Sequence, residues 1–375
     1  MHPEFALSSE ILYLNHAAVA PWPRRTVDAV SRFAQENGTR GAAGYPDWMK
    51  TETRLRDRLA ELINAKSPTD IALAKNTSEA LSIIAYGLDW EPGDNIVGIA
   101  QEFPSNRIVW ESLGDQGVEY RQLDLYQSAA PEEDLIGLCD ERTRLIAVSS
   151  VQYARGLRLD LERLGIFCRE RGILFCVDAI QSLGVVPFDL TRSQADFVVA
   201  DGHKWMLGPE GVALLYVNPL VRPSLRLYQY GWHMVKHCGD YDRTDWEPAA
   251  AATRFECGSP NMLGIHALEA SLSLLLETGM DTVHAAVAER ADRLIALIDQ
   301  RDFELLSPRE PERRAGIVTF RVPGADPQAL YRALMGLGVI CAQRGGGVRF
   351  SPHFYTPESV LESAVDIAAS AARRL

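Results

Sequence analysis

Two side chains that can do chemistry follow apolar, strand-like runs of this sequence. Lys204 lies shortly after the run 197–200, and Asp178 follows the run 173–177. Open α/β sheets bind ligands beyond the carboxyl ends of their strands, where a lysine amine can form a Schiff base with a carbonyl compound. A carboxylate at a buried strand end is costly unless a cation pairs with it. Taken alone, such a lysine is more often a solvated loop residue, and such an aspartate can be a helix N-cap.

Further polar residues suggest what these two groups bind. Asn76, Thr77 and Ser78 open a helical pattern, so hydroxyls and free backbone N–H groups converge where a phosphate would lie, although an ordinary helix cap has the same pattern. Gln181, three residues after Asp178, can hydrogen-bond a phenolic oxygen. A protonated pyridine nitrogen would supply the cation that Asp178 requires and would keep its ring an electron sink. The combination predicts pyridoxal 5'-phosphate (PLP) as the cofactor.

Together these segments resemble the class V aminotransferase and cysteine-desulfurase-like family of fold-type I PLP-dependent enzymes. The resemblance spans residues 13–355, and its most specific part is the order Asp178, Gln181, His203, Lys204. It implies that Lys204 holds PLP as a Schiff base, that Asp178 pairs with the pyridine nitrogen and that Gln181 binds the phenolic oxygen. Three side chains would hold the phosphate: Thr77, Ser78 and His203. The pattern 152–160 is closer to the isopenicillin-N-epimerase-like branch of the family.

The resemblance also implies how the substrate and a partner subunit are engaged. Arg349 matches the arginine that grips the substrate α-carboxylate, a task suited to a bidentate guanidinium. Ser259 matches the hydroxyl residue that reaches the phosphate of the partner subunit, which implies a homodimer with shared active sites. Asn15 and His16 fall where the N-terminal arm lines the pocket. A last pair, Ser150 and Gln152, would face the substrate or else form a strand-end turn.

Three departures from the family pattern bear on the reaction. Phe103 stands where cysteine desulfurases stack a histidine on the cofactor ring, and a phenylalanine can stack but cannot carry protons; it is otherwise a core aromatic. The link 343–349 is short and has no nucleophilic cysteine, while Cys341 lies in an apolar strand, where a thiol packs rather than reacts. Asp201 replaces a phosphate-binding serine of some members, so we expect its carboxylate to turn away or to act through water.

These features predict an enzyme that acts at Cα or Cβ of an amino acid. We favour transamination or β-elimination of the C–S lyase type. The alternatives are cysteine desulfurase or selenocysteine lyase activity and epimerisation of an amino acid. A non-catalytic binding module with the same fold is the alternative outside the enzymes.

The elements that must position these residues indicate an α/β protein. Apolar runs alternate with helical patterns from about residue 68 to 217, which predicts a mostly parallel, seven-stranded-type sheet covered on both faces. After Pro260 the pattern changes to two long helices and a smaller α+β region. We expect an N-terminal arm (1–20), a large PLP-binding domain (21–262) and a small C-terminal domain (263–375). The predicted strands of the large domain are 95–100, 145–149, 173–177, 197–200 and 212–217.

Composition excludes several other classes of protein. Lys plus Arg number 38 against 50 Asp plus Glu, a net charge of -12 that repels nucleic acids and anionic membranes. No apolar run is long enough to span a membrane, and no signal peptide is visible, so we expect a cytoplasmic protein. Neither G-x-G-x-x-G after a strand nor G-x-S-x-G occurs. His233, His237 and Cys238 lack a second ligand pair, so we expect no metal site.

Overall fold

The structure, a computed structural model, describes residues 2–375. Its strands are β1 Leu12–Tyr13, β2 Ile71–Ala74, β3 Asn95–Ile99, β4 Glu119–Leu123, β5 Thr143–Ser149, β6 Leu174–Asp178, β7 Phe197–Asp201, β8 Ala213–Val217, β9 Glu304–Leu305, β10 Val318–Arg321, β11 Val339–Ile340, β12 Ala342–Arg344 and β13 Gly347–Phe350. Its α-helices are α1 Arg24–Arg40, α2 Tyr45–Leu62, α3 Thr77–Gly87, α4 Ser105–Glu111, α5 Pro131–Gly137, α6 Leu161–Arg171, α7 Leu190–Ser193, α8 Met262–Thr278, α9 Met280–Asp299, α10 Pro327–Gly336 and α11 Glu358–Ala372.

The central sheet has seven strands in the order β2-β8-β7-β6-β5-β3-β4. Strands β3 to β7 pair in parallel, whereas β8 is antiparallel to both β7 and β2. Every residue of β3, β7 and β8 is buried, and two separate hydrophobic clusters cover the two faces of the sheet. The predicted α/β class and mostly parallel, doubly covered sheet are therefore confirmed.

The parallel arrangement brings the carboxyl ends of β5, β6 and β7 to one edge of the sheet. Asp178 ends β6 and Asp201 ends β7, and the chain then turns through 202–212 before it returns as β8. The turn after β6 approaches this segment so closely that a Cβ on Gly184 would lie 2.2 Å from the carbonyl oxygen of Trp205. Gly184 also has a φ of 96°, which glycine adopts without strain. The loop after Asp178 is thereby held against Lys204.

The C-terminal part forms a smaller α+β unit. Its antiparallel sheet has the order β12-β13-β10-β9 and packs with α9, α10 and α11 around a third hydrophobic cluster. Leu14 belongs to that cluster, and β1 pairs in parallel with β11, so the N-terminal arm is bound to this unit. Helix α8 packs on α1 and α2 instead. The division of the chain at residue 263 stays a prediction, and this packing favours a boundary after α8.

The sequence patterns missed several elements. Strands β2 and β4 and the long helices α1 and α2 were not predicted, and the one apolar strand in which Cys341 was expected is two short strands, β11 and β12, on either side of that residue. Among residues 2–375, no helix combines the length and the apolar character needed to cross a lipid bilayer.

Candidate active site

A pocket of about 280 Å³ opens at the carboxyl ends of β6 and β7. The turn before α3, the start of α4, the N-terminal arm and the β12–β13 hairpin complete its wall. Eight of the predicted site residues line it, and so does Asp201. The eight are Thr77, Ser78, Phe103, Asp178, Gln181, His203, Lys204 and, from the C-terminal sheet, Arg349. Tyr153, Ser105 and Arg344 line it as well, although the sequence patterns did not single them out.

Lys204 and Asp178 are the titratable pair at the base of this pocket. Lys204 is 8% exposed and Asp178 is 3% exposed. Burial lowers the pKa of Lys204 to about 8, against the attraction of Asp178. Burial raises the pKa of Asp178 to about 6, although the N–H of Ile180 donates a hydrogen bond of 3.0 Å to the carboxylate. Near neutral pH the pocket therefore holds an amine that loses its proton readily beside a carboxylate that needs a cation.

The first turn of α3 presents donors to the pocket. Asn76 caps the helix by accepting the N–H of Glu79 with its side chain, whereas the N–H groups of Thr77 and Ser78 have no protein acceptor within residues 2–375. Thr77 Oγ1 accepts the N–H of Asp201 at 3.2 Å, which leaves its own proton free. Free N–H groups and a hydroxyl at the positive end of a helix suit a phosphate.

Gln181 is held in one orientation by its neighbours. Its Nε2 donates to the carbonyl of Ala17 at 3.0 Å, and its Oε1 accepts the indole N–H of Trp205 at 2.8 Å. Because an amide nitrogen carries two protons, one donor remains for a ligand. Both partners lie beside the pocket, so the position of this donor is fixed by the fold rather than by the ligand.

Arg349 is a buried cation without a counter-ion. It is 2% exposed, its Nη1 donates to the carbonyl of Tyr153 at 2.6 Å, and its Nε has no hydrogen-bond partner. Burial, with repulsion from Arg344, lowers the pKa of Arg349 to about 9. An uncompensated buried charge is costly, so this side chain requires an anion that the described residues do not supply.

Phe103 and Tyr153 form the aromatic side of the pocket. Their rings meet edge to face with centroids 5.3 Å apart, and the amine nitrogen of Lys204 lies 5.4 Å from the centroid of Phe103. Phe103 is 40% exposed and therefore is not a core aromatic in this chain. Its ring offers a stacking surface beside the lysine but no proton.

Four predicted substrate residues do not line this pocket, and the side chains of three of them, His16, Ser150 and Gln152, make hydrogen bonds within the fold. Asn15 forms a backbone bridge with Ser351, and His16 is fully buried with its ring nitrogens 2.8 Å from the Ser351 carbonyl and 2.6 Å from the Tyr355 hydroxyl. Ser150 hydrogen-bonds Ser182 at 2.7 Å and borders a different cavity. The amide of Gln152 is used by backbone groups of Gln101, Ala154 and Arg155. The arm reaches the pocket through residues 17–19.

Ser259 also lies outside the pocket of its own chain. It is exposed in the turn before α8. Ser259 therefore does not contact the phosphate donors of its own chain, but its exposed position leaves it accessible to a second subunit. Its role at the phosphate of a partner subunit stays a prediction.

No cysteine among residues 2–375 lines the pocket. Cys341 is 2% exposed, and burial raises the pKa of its thiol to about 12. A thiol that stays protonated in an apolar strand is a poor nucleophile. The structure thus offers no persulfide carrier in the pocket.

Asp201 and His203 share the pocket floor with the phosphate donors. Nδ1 of His203 lies 3.2 Å from Oδ1 of Asp201, yet neither atom has a well-aligned hydrogen bond. The carboxylate of Asp201 therefore faces the imidazole.

Glu102, next to Phe103, is a buried carboxyl group that the sequence patterns did not reveal. It accepts the N–H of Ser149 at 2.6 Å and also bonds the Ser149 hydroxyl. Burial, with a smaller contribution from the negative charge of Asp178, raises the pKa of Glu102 to about 7. It ties the loop that carries Phe103 to the end of β5.

Glu102→Gln is expected to stabilise the protein in a pH-dependent way. The folded-state pKa lies above the unfolded value, so the contribution of Glu102 to stability is present at low pH and is lost as pH rises through about 7. Replacement by the neutral amide should therefore raise the free energy of unfolding by about 2 kcal/mol more at pH 8.5 than at pH 5.5. Urea unfolding at both pH values measures this, with the exposed Glu61→Gln as control. A difference that does not change with pH would contradict the buried titration.

One acidic cluster outside the pocket has ligand-like spacing. Glu52, His233 and Glu256 lie close together, but the guanidinium of Arg56 bonds Glu52 at 2.5 Å and Glu256 at 2.7 Å. Burial by itself lowers the pKa of Arg56, but the attraction of the two glutamates raises it by more, so the net shift is upward. Arg56 thus already supplies the positive charge, and we assign the cluster as a buried ion pair that ties α2 to the segment before α8.

The donor set of the pocket fits PLP. The pocket has more hydrogen-bond donors than its own acceptors can use. These are the buried Arg349, which has no anion, two free N–H groups on α3 and the hydroxyl of Thr77. A phosphate and a carboxylate would supply the missing acceptors. The buried amine of Lys204 can bond to the aldehyde of PLP, and the buried carboxylate of Asp178 can pair with its protonated ring nitrogen. The chemistry of the residues present is therefore compatible with the predicted cofactor.

Comparison with known proteins gives an independent result. The model of the family described as Aminotransferase class-V matches residues 12–357. The chain is 27% identical to a probable cysteine desulfurase of Pyrococcus abyssi, over 97% of this chain and 95% of that protein. It is 28% identical to a probable cysteine desulfurase of Methanothermobacter thermautotrophicus, over 96% of this chain and 94% of that protein.

Solved structures share the fold at low identity. An apo cysteine desulfurase from Thermococcus onnurineus NA1 aligns with a TM-score of 0.87 and 23% identity, covering 98% of this chain and 96% of that one. The cystine C-S lyase C-DES, in complex with its reaction product cysteine persulfide, aligns with a TM-score of 0.88 and 24% identity, covering 96% of this chain and 98% of that one.

Proposed function

Because this chain belongs to the class V aminotransferase family, we propose that it is a PLP-dependent lyase that cleaves the C–S bond of an amino acid. The observation that carries the proposal is the buried Lys204–Asp178 pair in a pocket that also holds Arg349. Relatives named as cysteine desulfurases and a fold shared with a cystine C-S lyase support C–S chemistry. Lys204 would bind the cofactor aldehyde and Asp178 its ring nitrogen, with Gln181 at the phenolic oxygen and the phosphate on Thr77, Ser78 and His203.

PLP, when bound, delocalises the electron pair that is left when a bond at Cα breaks. Arg349 orients the substrate through its α-carboxylate, and that anion relieves the cost of the buried guanidinium. Lys204, with its pKa lowered to about 8, accepts the proton from Cα. Asp178 would pair with the charged ring nitrogen, and Phe103 would give the ring a stacking surface on one side of the pocket.

The absence of a proton donor at Phe103 favours sulfur as the leaving atom. A hydroxyl or amine leaving from Cβ needs a general acid, whereas a thiol, with an ordinary pKa of about 8.5, can leave as the thiolate. The overall reaction takes one amino acid and one water to a thiol, pyruvate and ammonia. No cysteine nucleophile is required.

Cysteine desulfuration is the second candidate, because the curated relatives carry that name. It requires a cysteine that removes the sulfur atom as a persulfide. The buried Cys341, with its pKa raised to about 12, does not suit that task. We therefore rank it below β-elimination.

Product identification with a panel of amino acids tests the proposal. Incubation with L-cystine or an S-alkylated L-cysteine should release pyruvate, ammonia and a thiol or persulfide in equal amounts. Alanine as the product from L-cysteine would support desulfuration instead. A keto acid that retains the original side chain would support transamination and would overturn the lyase assignment.

We further propose that the protein is a homodimer in which Ser259 completes the partner's phosphate site. Ser259 is exposed, and a nearby surface carries exposed aromatic side chains, a feature of interaction sites. These are Tyr228, Tyr230, Trp232, Tyr241 and Trp246. Sedimentation equilibrium should give twice the chain mass, and Ser259→Ala should weaken PLP retention about tenfold. A monomer with full PLP affinity would contradict this.

We also propose a cytoplasmic location. All six cysteines are unpaired thiols, as expected in a reducing compartment. Fractionation of the source cells would test it, and recovery of the protein outside the cytoplasm would overturn it.

A further inference from the structure

The pocket contains a second arginine that the proposed reaction does not use. Arg344 ends β12, is exposed, and lines the same pocket as Arg349. Its guanidinium donates to the carbonyl of Gln343 at 2.8 Å, and within the described residues it pairs with no carboxylate. A single α-carboxylate is already matched by the bidentate fork of Arg349. Arg344 is thus a surplus cation at the mouth of the site.

The hairpin register places both arginines on one face. Ala342 pairs with Arg349, and Arg344 pairs with Gly347. Side chains two residues apart on a strand share a face, so Arg344 is on the side of Ala342 and of its partner Arg349. Such diagonal neighbours lie about 7–8 Å apart at the backbone. One guanidinium stands at the base of the pocket and the other nearer its opening.

The turn between the two arginines is anchored from both sides. Arg155 donates to the carbonyl of Gly345 at 3.1 Å, and Arg321 donates to the carbonyl of Gly346 at 3.1 Å. Gly345 and Gly346 have φ of 58° and 86°, as a two-residue hairpin turn requires. A Cβ on Gly345 would also lie 3.0 Å from Cγ of Arg155. The strand end that carries Arg344 is therefore held in place rather than left as a free loop.

The charge of Arg344 acts on the reacting groups. It is a cause of the lowered pKa of Arg349 and, more weakly, of Lys204. The carboxylates of Asp178, Asp201 and Glu210 also line the pocket, but none of them forms an ion pair with Arg344 or Arg349. These two guanidinium groups therefore favour a ligand with more than one negative charge. With the phosphate on the α3 donors and the α-carboxylate on Arg349, one cation remains without a partner.

From this arrangement we infer that Arg344 selects substrates whose side chain carries a second acid group. The inference rests on the proposed function, because it assigns the α-carboxylate to Arg349. The preferred substrate is then an amino acid with a sulfur at Cβ and a carboxylate beyond that sulfur. The distal carboxylate reaches Arg344 at the pocket mouth while the α-carboxylate remains on Arg349.

A pair of substrates that differ only in the distal charge tests the inference. S-carboxymethyl-L-cysteine carries a distal carboxylate, and S-carbamoylmethyl-L-cysteine carries the neutral amide of the same shape. For the PLP-loaded wild type, kcat/KM should be at least about tenfold higher for the acid, as expected for one charge-assisted contact. Arg344→Gln should bring the ratio close to one, and Arg344→Lys should restore part of it. Arg373→Gln, which removes an exposed arginine at the end of α11, should leave the ratio unchanged.

Dissociation constants for the same two compounds, measured by calorimetry, provide the readout if neither is turned over. One possible result is that neither compound is turned over, while the acid binds with a lower Kd than the amide and Arg344→Gln removes that difference. This result would overturn the lyase proposal and support the inference. A second possible result is that the wild type turns over both compounds with equal kcat/KM, or that Arg344→Gln keeps the preference for the acid. Either finding would overturn the inference but would not contradict the lyase proposal.

Discussion

Replacing Lys204 by Ala is expected to reduce turnover by at least about 10³-fold and to abolish covalent retention of PLP. The amine is both the proposed attachment point and the proposed proton acceptor at Cα, and general-base catalysis alone contributes about 10²–10⁴-fold. The fold should survive, because the change removes a buried amine whose desolvation lowers its pKa to about 8. Steady-state kinetics and the visible absorption of the desalted protein measure the two effects.

Two variants separate the nucleophile from its charge. Lys204→Arg keeps a cation beside Asp178 but cannot bond to an aldehyde, so it should lose activity as fully as Lys204→Ala. Lys50→Ala removes an exposed lysine on α2 and should behave as wild type. Activity of Lys204→Arg within tenfold of the wild type would show that charge alone is required and would contradict a covalent role.

Asp178→Asn is expected to lower kcat by at least about 10²-fold without lowering the stability of the cofactor-free protein. The carboxylate is proposed to keep the ring nitrogen charged, and an amide cannot do so. Its folded-state pKa of about 6 lies above the ordinary value of 3.8 because the carboxyl group is buried. The contribution of Asp178 to stability is thus complete below pH 3.8 and is lost as pH rises through 6, so the neutral amide carries no such penalty at pH 8.

The stability measurement makes this test specific. Thermal unfolding of the cofactor-free proteins at pH 8 should give Asp178→Asn a midpoint at or above that of the wild type, while its kinetics collapse. Asp178→Glu restores the charge on a longer side chain and should recover part of kcat. A large loss of stability together with the loss of activity would indicate a structural role for Asp178 instead.

The sequence was sufficient to predict the large sheet and the core of the site because both depend on local patterns. Continuous apolar runs such as those around Phe175 and Val199 identify strands buried on both faces, and parallel strands bring their carboxyl ends together. The sequence alone therefore predicts that Asp178 and Lys204 lie in one pocket. Strand β2 has only four residues, too few for a clear periodic signal. Helix α1 does carry apolar residues at helical spacing, at Val27, Val30 and Phe33, so its pattern is present in the sequence and was overlooked.

The substrate side of the pocket could not be predicted in the same way. Whether His16 or Gln152 faces a ligand depends on hydrogen bonds to residues far away or to a particular loop backbone, and neither is visible in the sequence. Arg344 was missed because its side is set by the hairpin register. The Gly345–Gly346 turn between alternating residues was the signal that could have revealed it, since a two-residue turn fixes which side chains share a face.

The most direct measurement of the central claim is borohydride reduction of the PLP-loaded protein followed by peptide mapping. The chain has five lysines, and Lys204 is the buried one; the others, Lys50, Lys66, Lys75 and Lys236, are exposed. After removal of free PLP, one equivalent of the pyridoxyl group should be found on Lys204 and essentially none elsewhere. A label spread over the exposed lysines, or a protein that takes up none, would contradict the account.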